Sequence, residues 1–208
     1  MSWRPGGDDA TRRGDAPRKA LQRLHVRRRH PGRDVAALLR EVAALTEEVR
    51  ALARLARTDP LTGLANRRGW DEQLDRELAR ARRSGDPVSV ALLDLNDFKA
   101  FNDAHGHQAG DRLLVEAAAA WQVRLRDVDL LCRWGGDEFA VLLPDCPETE
   151  AQDVIARVRP TTPNMQSCAA GIAAWDGKET SHELVRRADT ELIKEKRVRA
   201  SGVRLNPA

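Results

Sequence analysis

Apolar residues recur at alternating spacings of three and four in the first third of the chain, at Val35, Leu38, Val42, Leu45, Val49, Leu52 and Ala56. A stripe with this period is a heptad seam. Val at one seam position and Leu at the other favour a parallel two-stranded coiled coil. The spacing therefore predicts a dimerisation helix over residues 34–57, with Asp34 placed to cap its start. Leu39 and Leu55 widen the stripe. The run is only just over three heptads long, and the same pattern also suits a helix packed on its own domain.

From residue 58 the pattern alternates between helical and extended periods. A helix is expected over Asn66–Arg83, stopped by Ser84-Gly85-Asp86-Pro87. The apolar run Val88–Asp94 reads as a buried strand, followed by a short helix over Asp97–Asn102 and a longer one over Ala109–Arg126. Leu130–Trp134 and Phe139–Leu143 are two strands joined at Gly135-Gly136, a hairpin signal. A helix over Glu148–Arg159, a strand over Gln166–Ala174 and a helix over His182–Arg199 complete the chain. Helices interleaved with strands and one hairpin give an α/β fold, a mixed central sheet flanked by helices, preceded by the coiled-coil helix.

Composition adds a tail and removes a membrane. Residues 1–33 hold ten Lys or Arg against three Asp, so with a whole-chain charge of +3 the remainder is net acidic. Few large apolar residues stand among them, the composition of a basic disordered tail. It reads as a solvated arm, or as a weak contact with an anionic partner such as nucleic acid; no aromatic interleaving supports base stacking. With 32% charged residues and no apolar run longer than about Ala169–Trp175, no membrane span is expected. The basic start has no apolar segment behind it and does not read as a secretory signal. Cys132, Cys146 and Cys168 are odd in number and lack metal spacing, as expected of reduced thiols in a cytoplasmic protein.

Two carboxylates carry the candidate chemistry. Asp94 ends the first long strand, and Asp137 follows Gly135-Gly136 in the hairpin turn. If the two strands are neighbours, both acids emerge at one edge of the sheet. Paired carboxylates there suit Mg²⁺ held partly by substrate phosphates. The glycines allow a sharp turn and leave room for a bulky ligand. Taken alone these are weak signals, because turn acids are mostly solvated.

Several longer motifs coincide with the acids. Asp59-Pro60-Leu61-Thr62-Gly63-Leu64-Ala65-Asn66-Arg67-Arg68 precedes the first helix of the domain. Asp94-Leu95-Asn96-Asp97-Phe98-Lys99 leads to Asn102-Asp103 and then to Gly106-His107-Gln108-Ala109-Gly110-Asp111. Arg133-Trp134-Gly135-Gly136-Asp137-Glu138-Phe139 completes the set. In order and spacing these motifs resemble the GGDEF-domain diguanylate cyclases, from about Thr58 to Arg199, within a domain expected over 58–208.

The resemblance implies a fold like the palm of nucleotide cyclases and polymerases. It implies a cyclase that condenses two GTP into cyclic di-GMP and two pyrophosphates, with Mg²⁺ or Mn²⁺, as a homodimer. Asp94, the Leu95 carbonyl and Asp137 match the metal ligands. Asp137, with Glu138 beside it, matches the proposed acceptor of the 3′-hydroxyl proton, and Lys99 the lysine that stabilises phosphate charge. Asn102 and Asp111 match the guanine-reading pair, His107 a substrate contact and Lys196 the phosphate-binding lysine. A carboxylate can accept from guanine N1–H and its amine, and such a site rejects adenine. Arg126-Asp127-Val128-Asp129 stands five residues before Gly135. It matches the family's Arg-x-x-Asp inhibitory site for cyclic di-GMP, where Arg126 and Asp129 would hold product.

Three departures qualify the match. Where the family has an arginine after the phosphate lysine, this chain has Ala200, with Arg197 and Arg199 as candidate substitutes. Trp70 replaces a phenylalanine, and the loop 160–164 is short. The alternative to a cyclase is a catalytically silent module that binds GTP or cyclic di-GMP; the intact Gly-Gly-Asp-Glu-Phe run favours the enzyme.

Overall fold

The computed structural model of the protein describes residues 31–202. The basic tail expected over residues 1–33 lies outside them but for its last three positions. By internal contacts the chain divides into two units, residues 1–50 and 51–208. Helix α1 spans Pro31–Leu55. It starts three residues before the expected boundary, so Asp34 is not its cap; the fixed φ of proline suits the first helical position and accounts for the earlier start. The helix also stops before Ala56, the last expected seam position. Val35, Leu38, Val42, Leu45, Val49 and Leu52 are all more than half exposed along it.

The remaining elements are β1 (Ala65–Asn66), α2 (Arg67–Ser84), β2 (Val88–Leu95), α3 (Phe98–His105), α4 (His107–Gln122), β3 (Leu130–Gly135), β4 (Glu138–Pro144), α5 (Glu148–Val158), β5 (Cys168–Ala174) and α6 (Ser181–Ala200). The α/β expectation holds. The sheet order is β1-β3-β4-β2-β5, parallel only between β1 and β3. The two-residue strand β1 was not expected, because two residues carry no period; its pairing with β3 defines it. The expected helix over Ala109–Arg126 instead starts at His107 and ends at Gln122, and the expected strand from Gln166 starts at Cys168.

Strand β2 lies between β4 and β5, and all eight of its residues are buried. Its two faces feed two cores, as the period of two along a strand requires. Ala91, Leu93 and Leu95 pack with Leu113, Leu114 and Trp121 of α4 and Val154 and Ile155 of α5. Val88, Val90 and Leu92 pack with Trp70, Leu74 and Leu78 of α2 and Leu184, Ala188 and Leu192 of α6. Local signals fix the ends of the covering helices. Asn66 caps α2 by accepting from the Gly69 N–H at 3.0 Å, and Thr180 with Glu183 forms a capping box on α6. Cys132, Cys146 and Cys168 are free and buried; burial, with Asp71 and Asp59 nearby, pushes the Cys132 thiol up to about 12. Among the described residues no helix is long and apolar enough to cross a membrane.

Helix α6 lies directly on β5 at Gly171. A Cβ there would stand 2.1 Å from the Ala188 carbonyl oxygen and 2.3 Å from the Leu192 nitrogen, so only glycine admits this approach. Gly171→Ala should therefore lower unfolding stability by about 1–3 kcal/mol through overpacking. Urea denaturation is the check, and unchanged stability would show that α6 moves aside freely.

Candidate active site

The β2–β4 register sets Asp94 opposite Glu138, and Asp137 precedes Glu138 in the turn. The three acids thus meet where β2 ends and β4 begins. Asp94 is only 8% exposed, although it is charged and at the end of an apolar strand. Its carboxylate forms an ion pair with Lys196, Nζ to Oδ2 at 2.6 Å. Lys196 stands one turn beyond Leu192 on α6, so the close seat at Gly171 is what carries this ammonium to the strand end.

The turn itself is braced from β1's side of the domain. Arg133 donates through Nε and Nη2 to the Gly136 carbonyl, at 3.0 and 2.8 Å, and through Nη1 to Asp59 Oδ1 at 3.2 Å. Asp59 also accepts from the Thr62 N–H and hydroxyl, at 2.8 and 2.7 Å. Burial alone would raise the Asp59 pKa, but Thr62 and the Arg133 guanidinium outweigh it and hold the carboxyl below its ordinary range. A bulge between Arg133 and Gly135 reorients the end of β3. On the other side, the Leu95 N–H donates to the Asp137 carbonyl at 3.2 Å. The turn carrying Asp137 is therefore tied both to the Asp59–Thr62 loop and to β2.

Burial and neighbouring carboxylates raise two of the acids. Burial, then the Asp94 carboxylate, pushes Asp137 above its ordinary range, against Lys196 and Arg133. Burial, Asp94, Asp137 and Asp189 do the same for Glu138, against Lys196. Such a set accumulates more negative charge than one ammonium offsets, and a cation relieves it. Among the described residues no group of three or more His, Cys, Asp or Glu forms a metal cage. Mg²⁺ does not need one: it takes one or two carboxylates and completes its shell with water and substrate phosphate. Asp94 and Asp137 with the Leu95 carbonyl fit that requirement, and Lys196 is the cation paired with Asp94.

A second group of expected residues lies on α3 and α4. Asn102 Oδ1 is buried without a hydrogen-bond partner. A Cβ at Gly110 would stand 1.8 Å from that oxygen and 3.1 Å from Phe98 Cζ, so the glycine lets α3 and α4 close around the amide. Asp111 follows on α4 and is exposed, as are His107 at the start of α4 and Lys99 in the first turn of α3. Arg126 and Asp129 lie apart from the acids. They hold each other: Arg126 Nη2 donates to Asp129 Oδ1 at 2.9 Å, the Arg126 N–H to Oδ2 at 2.8 Å, and the Asp129 side chain is 1% exposed. Arg126 Nη2 also reaches the Pro144 carbonyl at 3.0 Å.

Of the two candidate replacements for the arginine absent at Ala200, Arg197 is exposed and Arg199 is engaged. Arg199 donates to Asp97 Oδ2 at 2.6 Å and to Ser167 Oγ at 2.9 Å. The bracing roles of Asp59 and Arg133 and the close approach at Gly110 have no counterpart in the sequence reading. A glycine inside a helical pattern was the one signal that could have flagged Gly110.

A mixed sheet with helices on both faces and a cluster of acids at a hairpin turn defines a nucleotidyl-cyclase-like domain. The family model described as diguanylate cyclase, GGDEF domain, matches residues 56–201, and the chain belongs to that family. It is 40% identical over 152 residues to the diguanylate cyclase DgcP of Pseudomonas aeruginosa, covering 68% of this chain and 23% of that protein. It is 39% identical over 148 residues to the response regulator PleD of Caulobacter vibrioides, covering 65% and 33%. The chain thus spans only 23% and 33% of the length of these two curated relatives. Among solved structures, the coiled coil and GGDEF domain of DgcB from Caulobacter crescentus in complex with c-di-GMP superposes with a TM-score of 0.73 at 30% identity, covering 80% of this chain and 94% of that one. The diguanylate cyclase SiaD in complex with its activator SiaC from Pseudomonas aeruginosa gives 0.68 at 35% identity, covering 87% and 71%.

The raised acids make stability depend on pH. The folded chain binds protons at Asp137 and Glu138 that the unfolded chain releases. The associated stability is present at low pH and is lost as pH rises through the raised values. Asp137→Asn should therefore raise the melting temperature of the metal-free protein at pH 7, and the gain should shrink as pH falls towards about 4. Thermal unfolding in chelator tests this, and an equal gain at both pH values would remove charge as the cause.

Proposed function

We propose that this chain is a diguanylate cyclase that condenses two GTP into cyclic di-GMP with release of two pyrophosphates. The observation that most supports this is the set of Asp94, Asp137 and Glu138 at one strand end, where burial and the Asp94 carboxylate raise Asp137 and Glu138 and a single lysine answers them. Each GTP offers its 3′-hydroxyl to the α-phosphate of the other. Bound Mg²⁺ or Mn²⁺ would supply charge neutralisation at the reacting phosphate. Asp94, Asp137 and the Leu95 carbonyl are the groups that would hold it. Asp137, with its affinity for protons already raised, is the group to accept the 3′-hydroxyl proton, with Glu138 beside it. Lys99 and Lys196 bind phosphate oxygens, and His107 lies against the substrate. The buried acceptor of Asn102 needs a donor, which a guanine edge provides; Asp111 accepts from the same edge. The protein would work in the cytoplasm, where three reduced thiols are at home.

The test is incubation with GTP and Mg²⁺, with cyclic di-GMP as the readout. Asp94→Ala and Asp137→Ala should each lose at least about a hundredfold in turnover with the fold intact. No product from the wild type would make the chain a binding module, and near-normal turnover in either variant would refute the metal assignment. In the same assay Asn102→Ala should lose roughly tenfold in GTP over ATP preference, and unchanged discrimination would remove Asn102 from the guanine site.

Two further parts of the reading concern assembly and control. Each domain holds one GTP, so two domains must face each other, and the exposed seam of α1 is the proposed means. Arg126 and Asp129 are the proposed product site, where bound cyclic di-GMP would replace their mutual pairing. Deleting residues 1–57 should make the rate per chain rise with protein concentration. Arg126→Ala should abolish the slowing of progress curves as product accumulates, with the initial rate held. Concentration-independent turnover in the truncated chain, or unchanged slowing in the variant, would sink the respective part.

A further inference from the structure

Asp97 stands where an acid is out of place for a site that takes a polyphosphate. It precedes the first turn of α3 in the left-handed conformation, φ 56, and its side chain caps nothing. A carboxylate at a helix N-terminus competes with any other anion for the same positive end. Its partner is Arg199, at 2.6 Å. Arg199 lies one turn beyond Lys196, so α6 presents two cations along one stripe. Lys196 goes to Asp94 at one end of the β2–α3 loop, and Arg199 goes to Asp97 at the other.

A merely structural latch fits these observations poorly. The pair is exposed, 46% for the arginine and 73% for the aspartate, and exposed ion pairs contribute little to stability. The loop is fixed without it: the Asn96 N–H donates to the Ser167 carbonyl at 2.9 Å and Asn96 Nδ2 to Ser167 Oγ at 2.8 Å. The Asp97 carbonyl is separately held by the Phe101 N–H at 3.0 Å. A pair that is weak, solvent-facing and dispensable to the loop is one that can be exchanged.

We infer that Asp97 is a built-in competitor for the nucleotide's phosphates: it holds Arg199 in the nucleotide-free domain and surrenders it to the polyphosphate when GTP binds. This rests on the proposed use of GTP. Asp97 thereby sets the affinity for substrate, and Arg199 is the second phosphate cation beside Lys196.

The sign of two substitutions separates exchange from latch. Full-length protein is titrated by calorimetry with 3′-deoxy-GTP and Mg²⁺, which cannot cyclise. Asp97→Asn removes the ionic hold on Arg199, leaving its hydrogen bond to Ser167 Oγ, and should tighten binding about threefold to tenfold, and Arg199→Ala should weaken it by a similar factor or more. Asp97→Glu, which keeps the pairing, should stay within about twofold of wild type, and the gain in Asp97→Asn should shrink at high salt. Melting temperatures close to wild type in all three would show that binding, not folding, has changed. Weaker or unchanged binding in Asp97→Asn would overturn the inference alone, as would unchanged binding in Arg199→Ala. Failure of the wild type to bind 3′-deoxy-GTP would overturn the proposed use of GTP and this inference with it.

Discussion

Asp94 puts a carboxylate at the end of a strand whose every residue is buried, and the cost of that placement organises the rest of the domain. Removing an ion from water costs several kcal/mol unless pairing and hydrogen bonds return it. Here the return comes from Lys196, which reaches the acid only because α6 sits close on β5 at Gly171. The sheet order that places β2 between β4 and β5 decides which neighbours the acid has. Glu138 and Asp137 come from β4 and its turn, and the lysine comes over β5. Burial, with three acids that a single ammonium does not balance, makes both Asp137 and Glu138 resist ionisation. The domain is folded around an excess of negative charge that a divalent cation is suited to offset.

Rigidity around this excess charge is unevenly distributed. The hairpin turn is fixed through Arg133, Asp59 and Thr62, groups of low exposure whose bonds are charge-assisted. A metal ligand on a turn needs such support, since an unbraced Gly-Gly turn would not hold a carboxylate to within the tolerance that phosphate chemistry demands. The cations opposite are held more lightly. Lys196 and Arg199 are each roughly 40–46% exposed and sit on acids rather than in rigid sockets. Acids fixed and cations releasable is the arrangement expected where the incoming ligand is itself an anion.

Much of this was legible in the sequence, and what was not has a common cause. The long elements follow from hydrophobic period, and the acids follow from their place at a strand end and after Gly135-Gly136. Asn102, Lys99, His107 and Asp111 were reached through resemblance, and the buried, partnerless oxygen of Asn102 gives one of them an independent physical basis. Strand β1 was missed because two residues have no period, and the start of α1 because Asp34 looked like a cap three residues after the proline that begins the helix. The bracing of Gly136 by Arg133, the seat at Gly171 and the Asp97–Arg199 pair link residues far apart in the chain. No local spacing encodes such contacts; they exist only once the sheet has set its register.

The proposed reaction imposes a further constraint that one domain cannot meet. Each active site would carry one nucleotide, and the bond to be formed joins two of them, so the catalytic geometry belongs to a pair of chains. The apolar seam of α1 is more than half exposed along its length, and burying a row of Val and Leu side chains contributes roughly 1.5–3 kcal/mol per residue. If the proposed dimer forms, a few such residues per chain would raise the local concentration of the second domain from about micromolar to the roughly millimolar range typical of short tethers. Association would then no longer limit the encounter, and the remaining barrier would lie in the mutual orientation of two loaded sites. As the proposed product site, an Arg126–Asp129 pair remote from the acids would control that orientation without touching the chemistry, because its opening would depend on product and not on substrate. Inhibition at such a site would appear as a fall in turnover at unchanged affinity for the metal–nucleotide complex, which separates it from simple competition at Asp94 and Asp137.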